Sequence, residues 1–276
     1  MVQAQQHLTH PTKLPPNRAF KDLSAYGLKW AHRAAQRLAS TRLRPVHITL
    51  LFGAVGLFSA RLITQNRRHA DRFAAALLIL KHVLDGLDGA LARLQRPSRL
   101  GRYLDSIMDF IVSTALFRAF ALRRGGKGRD WLWAGLGLLA HLLQVSVYNY
   151  YYVLYRHRQG GDPTSVLDER QAQPYPWDPP WLTRSLHQLY LLLYGWQDRL
   201  IGRLDRWLTT DVRLPSRAFM TALSLLGLGS QLAIMATFVA LGQGALLPFV
   251  FIGPYALWTA LLLSWRHITS RHERPI

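Results

Sequence analysis

Apolar positions gather into long runs separated by short basic segments. Six runs reach the roughly 20 residues that a helix needs to cross a hydrocarbon core of about 30 Å. They fall near 47–64, 72–94, 103–122, 130–155, 216–242 and 244–265, and predict an all-α polytopic membrane protein with six transmembrane helices. Trp131, Trp133, Tyr150, Tyr151, Tyr152, Trp258 and Trp265 stand near the ends of the runs, where amphipathic rings sit at a membrane interface. Upstream, Phe20, Leu23, Trp30, Ala34 and Leu38 recur at helical spacing, with Lys21, Lys29, Arg33 and Arg37 on other faces. An amphipathic helix lying in the interface is therefore expected before the first span.

This divides the chain into an N-terminal cytoplasmic segment, 1–46, and a membrane domain, 47–276. Within the domain, 156–215 is expected to be a cytoplasmic loop followed by a surface helix. Residues 156–182 are rich in Gly, Pro and charge, and 183–209 return to helical periodicity. Leu186, Leu189, Leu193, Trp196, Leu200, Leu204 and Trp207 form the apolar stripe of that helix. Interspersed Arg184, Asp198, Arg199, Arg203, Asp205 and Arg206 argue against a seventh span.

Charge fixes the orientation. The 276 residues hold 34 Lys and Arg against 15 Asp and Glu, a net charge of +19. The segments 1–46, 95–102, 156–215 and 266–276 carry 22 of the basic residues, and the opposite loops, with Arg72, carry 7, which sets both termini in the cytoplasm. The basic residues follow membrane-proximal segments and make no folded module of their own, so anionic lipid and anionic substrate are the expected partners, not nucleic acid. The absence of Cys excludes disulfides, thiolate metal sites and a Cys nucleophile. Residues 1–46 hold no apolar run of signal-peptide type, and a bacterial inner membrane is the expected location.

The unusual residues cluster at the cytoplasmic end of the second run and the start of the third: Asp85, Asp88, Gly89, Ala92, Arg93, Gly101, Asp105 and Asp109. Asp85 and Asp88 are three apart, Asp105 and Asp109 four apart, so each pair shares a helix face. A short turn between antiparallel helices would bring the pairs together. Four carboxylates near a membrane boundary repel one another and resist desolvation, and a cation is the natural compensation. Oxygen ligands without Cys favour Mg²⁺, Mn²⁺ or Ca²⁺ over Zn²⁺. Gly86, Gly89, Ala90 and Ala92 leave one helix flank almost bare, and Arg93 is placed to meet a phosphate, so the combination suggests a diphosphate ligand.

The string Asp85-x2-Asp88-Gly89-x2-Ala92-Arg93-x7-Gly101-x3-Asp105-x3-Asp109 closely resembles the signature of the CDP-alcohol phosphotransferase family of integral membrane enzymes, with all eight positions matching. The resemblance implies a site for two divalent ions, Mg²⁺ or Mn²⁺, in which Asp85, Asp88 and Asp105 are ligands and Asp109 is both ligand and general base. It implies that Gly89, Ala92, Arg93 and Gly101 line the CDP pocket, that Ser98 contacts the donor's phosphates, and that the protein is a homodimer. Pro45-Val46-His47-Ile48-Thr49 is similar to the family's Pro-Asn-x-x-Thr start of the first span, with His47 in place of Asn. The expected reaction moves a phosphatidyl group from CDP-diacylglycerol to a small polar alcohol with release of CMP. The runner-up, transfer from CDP-choline or CDP-ethanolamine to diacylglycerol, is disfavoured because Asp109 is followed by Phe110 and Ile111 where that branch commonly has His-Gly. A cation transporter would place its carboxylates near the bilayer midplane, not at the cytoplasmic end beside an Arg.

Other polar residues are candidate acceptor contacts. Lys81 lies four before Asp85 on the same face, and either balances charge or meets the acceptor. His141, Gln144, Tyr148 and Tyr152 share a face of the fourth span with Asn149 beside it; an acceptor cavity and interhelical hydrogen bonding explain this stripe equally well. Arg217 and Arg266 lie at cytoplasmic depth and either bind an anionic acceptor or anchor lipid phosphate.

Overall fold

The computed structural model describes residues 13–162, 164–209 and 214–272, among which there is no strand. The helices are α1 (Leu28–Leu38), α2 (Pro45–Ile63), α3 (Arg68–Leu94), α4 (Arg99–Arg123), α5 (Gly128–Arg158), α6 (Pro180–Tyr190), α7 (Trp196–Leu208), α8 (Arg217–Leu223), α9 (Leu228–Ala240), α10 (Leu247–Val250) and α11 (Ala256–His272). A π turn, Leu191–Gly195, joins α6 to α7, and another, Phe251–Tyr255, joins α10 to α11 and takes up Pro254.

Two helices, α2 and α5, and the stretch Gly244–Ser270 are long and apolar enough to cross a membrane, and the pair α8 and α9 makes a fourth if it is one bent span. The protein is an integral membrane protein. At 27 and 25 residues, α3 and α4 match the others in length, but they carry the charged cluster that lowers their hydropathy. The expected continuous fifth span, 216–242, is instead broken, with a bend of 45° around a 3₁₀ turn at Ser224–Leu226. The reason lies in the N-terminal segment, which lodges at the break. Leu23 N donates to Ser224 Oγ at 2.9 Å and Tyr26 Oη to Gly229 O at 3.0 Å. A Cβ on Gly229 would stand 2.0 Å from Ser24 O, so only glycine admits this crossing.

The same segment corrects the expected amphipathic helix. Helix α1 begins only at Leu28, after Gly27 at φ +79°, so Phe20 and Leu23 of the expected stripe precede it. Phe20 packs edge-on against Tyr152 and Tyr155 instead. The face of α1 turned to the protein is Ala31 and Ala35, seated on Ile48 of α2 and on Leu87, Ala90 and Leu91 of α3. Trp30 is 69% exposed, under the guanidinium of Arg33.

Helices α6 and α7 are turned with their apolar stripe outward. Leu189, Trp196, Leu200 and Trp207 are exposed, while Thr183, Tyr190, Gln197 and Asp205 face the bundle. Gln197 Oε1 accepts from Ser146 Oγ of α5 at 2.8 Å, and Asp205 accepts from Tyr151 Oη at 2.7 Å. The inner face mixes these polar groups with Ile201 and Leu208, and the outer face mixes the large apolar side chains with exposed Arg184, Arg199, Arg203 and Arg206. Arg266, expected to anchor lipid phosphate or bind an acceptor, is buried on α11 with its guanidinium 3.9 Å from Asp205.

Candidate active site

Close packing of α2 on α4 starts the assembly of the site. A Cβ on Gly53 would lie 2.4 Å from Met108 Sδ, and one on Gly56 would lie 2.6 Å from Val112, so two glycines let the helices approach. This approach sets Thr49 beside α3, where its Oγ1 donates to Asp88 Oδ2 at 2.7 Å. The short turn from α3 to α4 then folds the two acidic pairs together. Oxygens of Asp85, Asp105 and Asp109 lie within 4.8 Å of one another. Asp88 stands outside this triad, buried and tied to Thr49.

Asp105 Oδ1 is buried and lacks a hydrogen-bond partner among the described residues. An orphaned carboxylate oxygen among other carboxylates is costly, and a divalent cation with an affinity for hard oxygen ligands would satisfy it. The donor set thus fits Mg²⁺ or Mn²⁺.

Lys81 enters from the preceding turn of α3. Its ammonium pairs with Asp109 Oδ1 and lies 3.8 Å from Asp85 Oδ2, over the ring of Phe52 at 4.5 Å. It is 1% exposed and does not line the cavity, where the acceptor was expected to meet it.

The acids open onto a cavity of about 1140 Å³. Gly89, Ala92, Arg93, Ser98 and Gly101 all line it, as does Asn149. A Cβ on Gly89 would meet only the tip of Arg93, at 3.4 Å, so the flank facing the cavity is bare as expected. Gly86 also reaches the cavity, but its missing side chain makes room for Leu28 of α1. Ser98 caps α4 by accepting from Gly101 N at 3.1 Å and donates to Asp178 Oδ1 at 2.6 Å. His47 is spent on the start of α2, where its Nδ1 accepts from Arg44 N at 3.1 Å, and it lies outside the cavity. Arg217 is also outside; it donates to Asn17 O at 2.6 Å, which removes it from the candidate acceptor contacts.

Several lining residues escape sequence reading. Asp178, buried, accepts from Ser98 Oγ and from Arg99 N, so the segment after α5 grips the start of α4. Glu169 reinforces the grip by pairing with Arg102 and with Arg99 at 3.4 Å. Arg156 and Asp162 also reach the cavity from this side. Burial pushes the Asp162 carboxyl up, but Arg156 and the Thr164 amide outweigh it and hold Asp162 below the ordinary carboxylate value. In the sequence these residues look like any end-of-span arginine or loop acid; only their meeting across elements marks them.

Residues 41–170, from the start of α2 to the segment beyond α5, match the family model described as CDP-alcohol phosphatidyltransferase. They form a CDP-alcohol phosphatidyltransferase domain. The match contains all eight signature positions, Lys81 and Asn149. The chain is also similar to the bifunctional IPC transferase and DIPP synthase of Aquifex aeolicus (strain VF5), 32% identical over 115 residues, which are 38% of this chain and 26% of that protein. The chain thus spans about a quarter of the length of this curated relative. The acidic triad, the bare flank and the adjoining Arg93 all lie within this CDP-alcohol phosphatidyltransferase domain.

Proposed function

We propose that the protein transfers a phosphatidyl group from CDP-diacylglycerol to the hydroxyl of a small polar alcohol and releases CMP. The observation that carries this reading is the convergence of Asp85, Asp105 and Asp109, with one oxygen orphaned, on a cavity flanked by Gly89. Asp85, Asp88, Asp105 and Asp109 would hold two divalent ions, Mg²⁺ or Mn²⁺, which when bound neutralise charge on the diphosphate and on departing CMP. Ala92 and Gly89 leave room for the nucleotide against the backbone of α3, and the fork of Arg93 meets a phosphate oxygen. Asp109 takes the proton of the acceptor hydroxyl as the new phosphoester bond forms and the bond to CMP breaks. Lys81 holds the Asp109 carboxylate in place for that step. Asn149 offers the acceptor a hydrogen bond from the α5 wall.

In the membrane, we read α2, α3, α4, α5, the bent pair α8 and α9, and α10 to α11 as six spans. The outward apolar stripe of α6 and α7 would lie on the cytoplasmic surface, with both termini on that side. A bacterial inner membrane and a homodimer complete this reading. Its test is CMP release by the purified protein in detergent, with CDP-diacylglycerol, Mg²⁺ or Mn²⁺ and a panel of alcohols. Metal-dependent release with one acceptor, lost in Asp109→Asn, is expected. Release only from CDP-choline or CDP-ethanolamine with diacylglycerol would replace the donor, and no release from any pair would defeat the transferase reading.

A further inference from the structure

Helices α6 and α7 lie beyond residue 170, where the family match ends, and run into each other through the π turn Leu191–Gly195. On α7 the side chains divide into three strips. Gln197, Ile201, Asp205 and Leu208 are buried against the bundle. Helical spacing puts Trp196, Leu200 and Trp207 on a second strip, and Arg199, Arg203 and Arg206 on a third, beside the second and opposite the first. All six of these are exposed, Trp207 by 78%. Trp181 and Leu192, each 72% exposed, and exposed Arg184 extend the outer face along α6 and the π turn. Every exposed charged side chain from 180 to 208 is thus an arginine. The two acids of this stretch turn inward, Asp198 to the cavity and Asp205 to Tyr151.

This pattern selects what covers the outer face. Water leaves the Trp and Leu strip exposed, and hydrocarbon alone rejects the arginines. An apolar strip beside a basic one suits the boundary where acyl chains meet headgroups. Arginines with no exposed acid among them complement anionic headgroups. A second copy meeting this face across a two-fold axis would set the same arginines against one another. The other side of α6 and α7 reaches the acids, because Leu182, Tyr190, Tyr194 and Asp198 line the cavity. Tyr194 Oη donates at 3.0 Å to the carbonyl of Ser106, which stands between Asp105 and Asp109 on α4. The Tyr194 ring meets Phe110 edge-on and stacks on Tyr190 with centroids 5.4 Å apart.

We propose that the outer face of α6 and α7 is a binding surface for anionic phospholipid headgroups, and that lipid held there steadies the cavity wall carrying Tyr194. Neither part depends on the transferase reading, and both are tested without turnover. The chain has no Cys, so Leu200→Cys carries a fluorophore at one place only. The labelled full-length protein is placed in nanodiscs of mixed phosphatidylcholine and phosphatidylglycerol, with brominated acyl chains on one lipid or the other. Quenching by brominated phosphatidylglycerol is expected to exceed that by brominated phosphatidylcholine by about twofold or more, and to fall towards equality in high salt. Arg199→Gln with Arg203→Gln, both at exposed positions, is expected to abolish the preference, and Lys at the same two positions to keep it.

Equal quenching by the two lipids in the parent would overturn the selectivity for anionic headgroups. No quenching by either would overturn the lipid surface altogether, whether the label is shielded by a second copy or open to a water-soluble quencher. For the cavity wall the readout is amide hydrogen exchange across 191–198. Exchange there is expected to slow by about threefold or more when phosphatidylglycerol is added to phosphatidylcholine nanodiscs of the parent, and not in the Gln pair. Equal exchange with and without phosphatidylglycerol would overturn the coupling between lipid and wall.

Discussion

Lys81 on α3 reaches across to Asp109 on α4, and the two form an ion pair walled off from the cavity on the lysine side, where Phe52 covers the ammonium. A buried lysine beside the carboxylate proposed as base fixes the position of that carboxylate and offsets part of the repulsion among four acids. Breaking a buried pair by removing one partner costs about 3–5 kcal/mol, more than most surface ion pairs contribute.

Lys81→Met is therefore expected to lower kcat by about tenfold to a hundredfold, since a mispositioned base loses much of its rate contribution, with donor KM within about threefold. Lys81→Arg should recover part of the rate. A large rise in donor KM at unchanged kcat would show that Lys81 binds substrate instead.

Asp105→Asn removes one of the crowded charges and puts a neutral amide in place of the carboxylate. In chelator the variant should unfold at a higher temperature than the parent, by about 1–3 kcal/mol of relieved repulsion and desolvation. Added Mg²⁺ should stabilise the parent and not the variant, as expected when the ion binds only the folded site. An equal Mg²⁺-induced shift in both proteins, read by thermal unfolding, would remove Asp105 from the ligand set.

Gly89 and Gly56 separate substrate space from packing space. Gly56→Ala drives a methyl into Val112 at 2.6 Å and should cost about 1–3 kcal/mol of stability. Gly89→Ala meets only the flexible end of Arg93 and should leave the melting temperature nearly unchanged, while donor KM rises by about tenfold or more from lost close approach. Unaltered donor KM in Gly89→Ala would place the nucleotide elsewhere.

Asp198 on α7 gives a pH signature. Burial pushes its carboxyl up to about 6, against the opposing pull of Arg102 and Tyr190. The folded protein thus holds a proton that the unfolded chain has already lost between about pH 4 and 6, so this group favours the native state increasingly as pH falls through 6. Asp198→Asn should be more stable than the parent at pH 7.5, by on the order of 1 kcal/mol after allowance for partial exposure. The gap should shrink to about half at pH 5 and close only below about pH 4, and a gap of equal size at pH 7.5 and pH 4 would contradict the assignment.

The acidic string was legible because helical spacing alone puts Asp85 with Asp88, and Asp105 with Asp109, and a short turn can join the pairs in few ways. Periodicity also found the helices. It carried the stripe before the first span too far upstream, because Phe20 and Leu23 fit the helical spacing by coincidence while Gly27 and the contacts of Asp22 and Ser24 start α1 later. It also could not say which side of α6 and α7 faces the protein, since an apolar stripe reads alike whether it seeks a core or lipid.

The sequence by itself determined the helical class, the clustering of four carboxylates and the bare flank beside them, because these follow from local spacing and residue size. The tertiary structure decided that Lys81 pairs with Asp109, that Arg217 and Arg266 lie away from the cavity, and that Arg156 lines it with an Nε that has no hydrogen-bond partner among the described residues. Each of these is a meeting of groups from different elements, and whether a charge is paired, buried or open depends on neighbours that helical spacing does not specify.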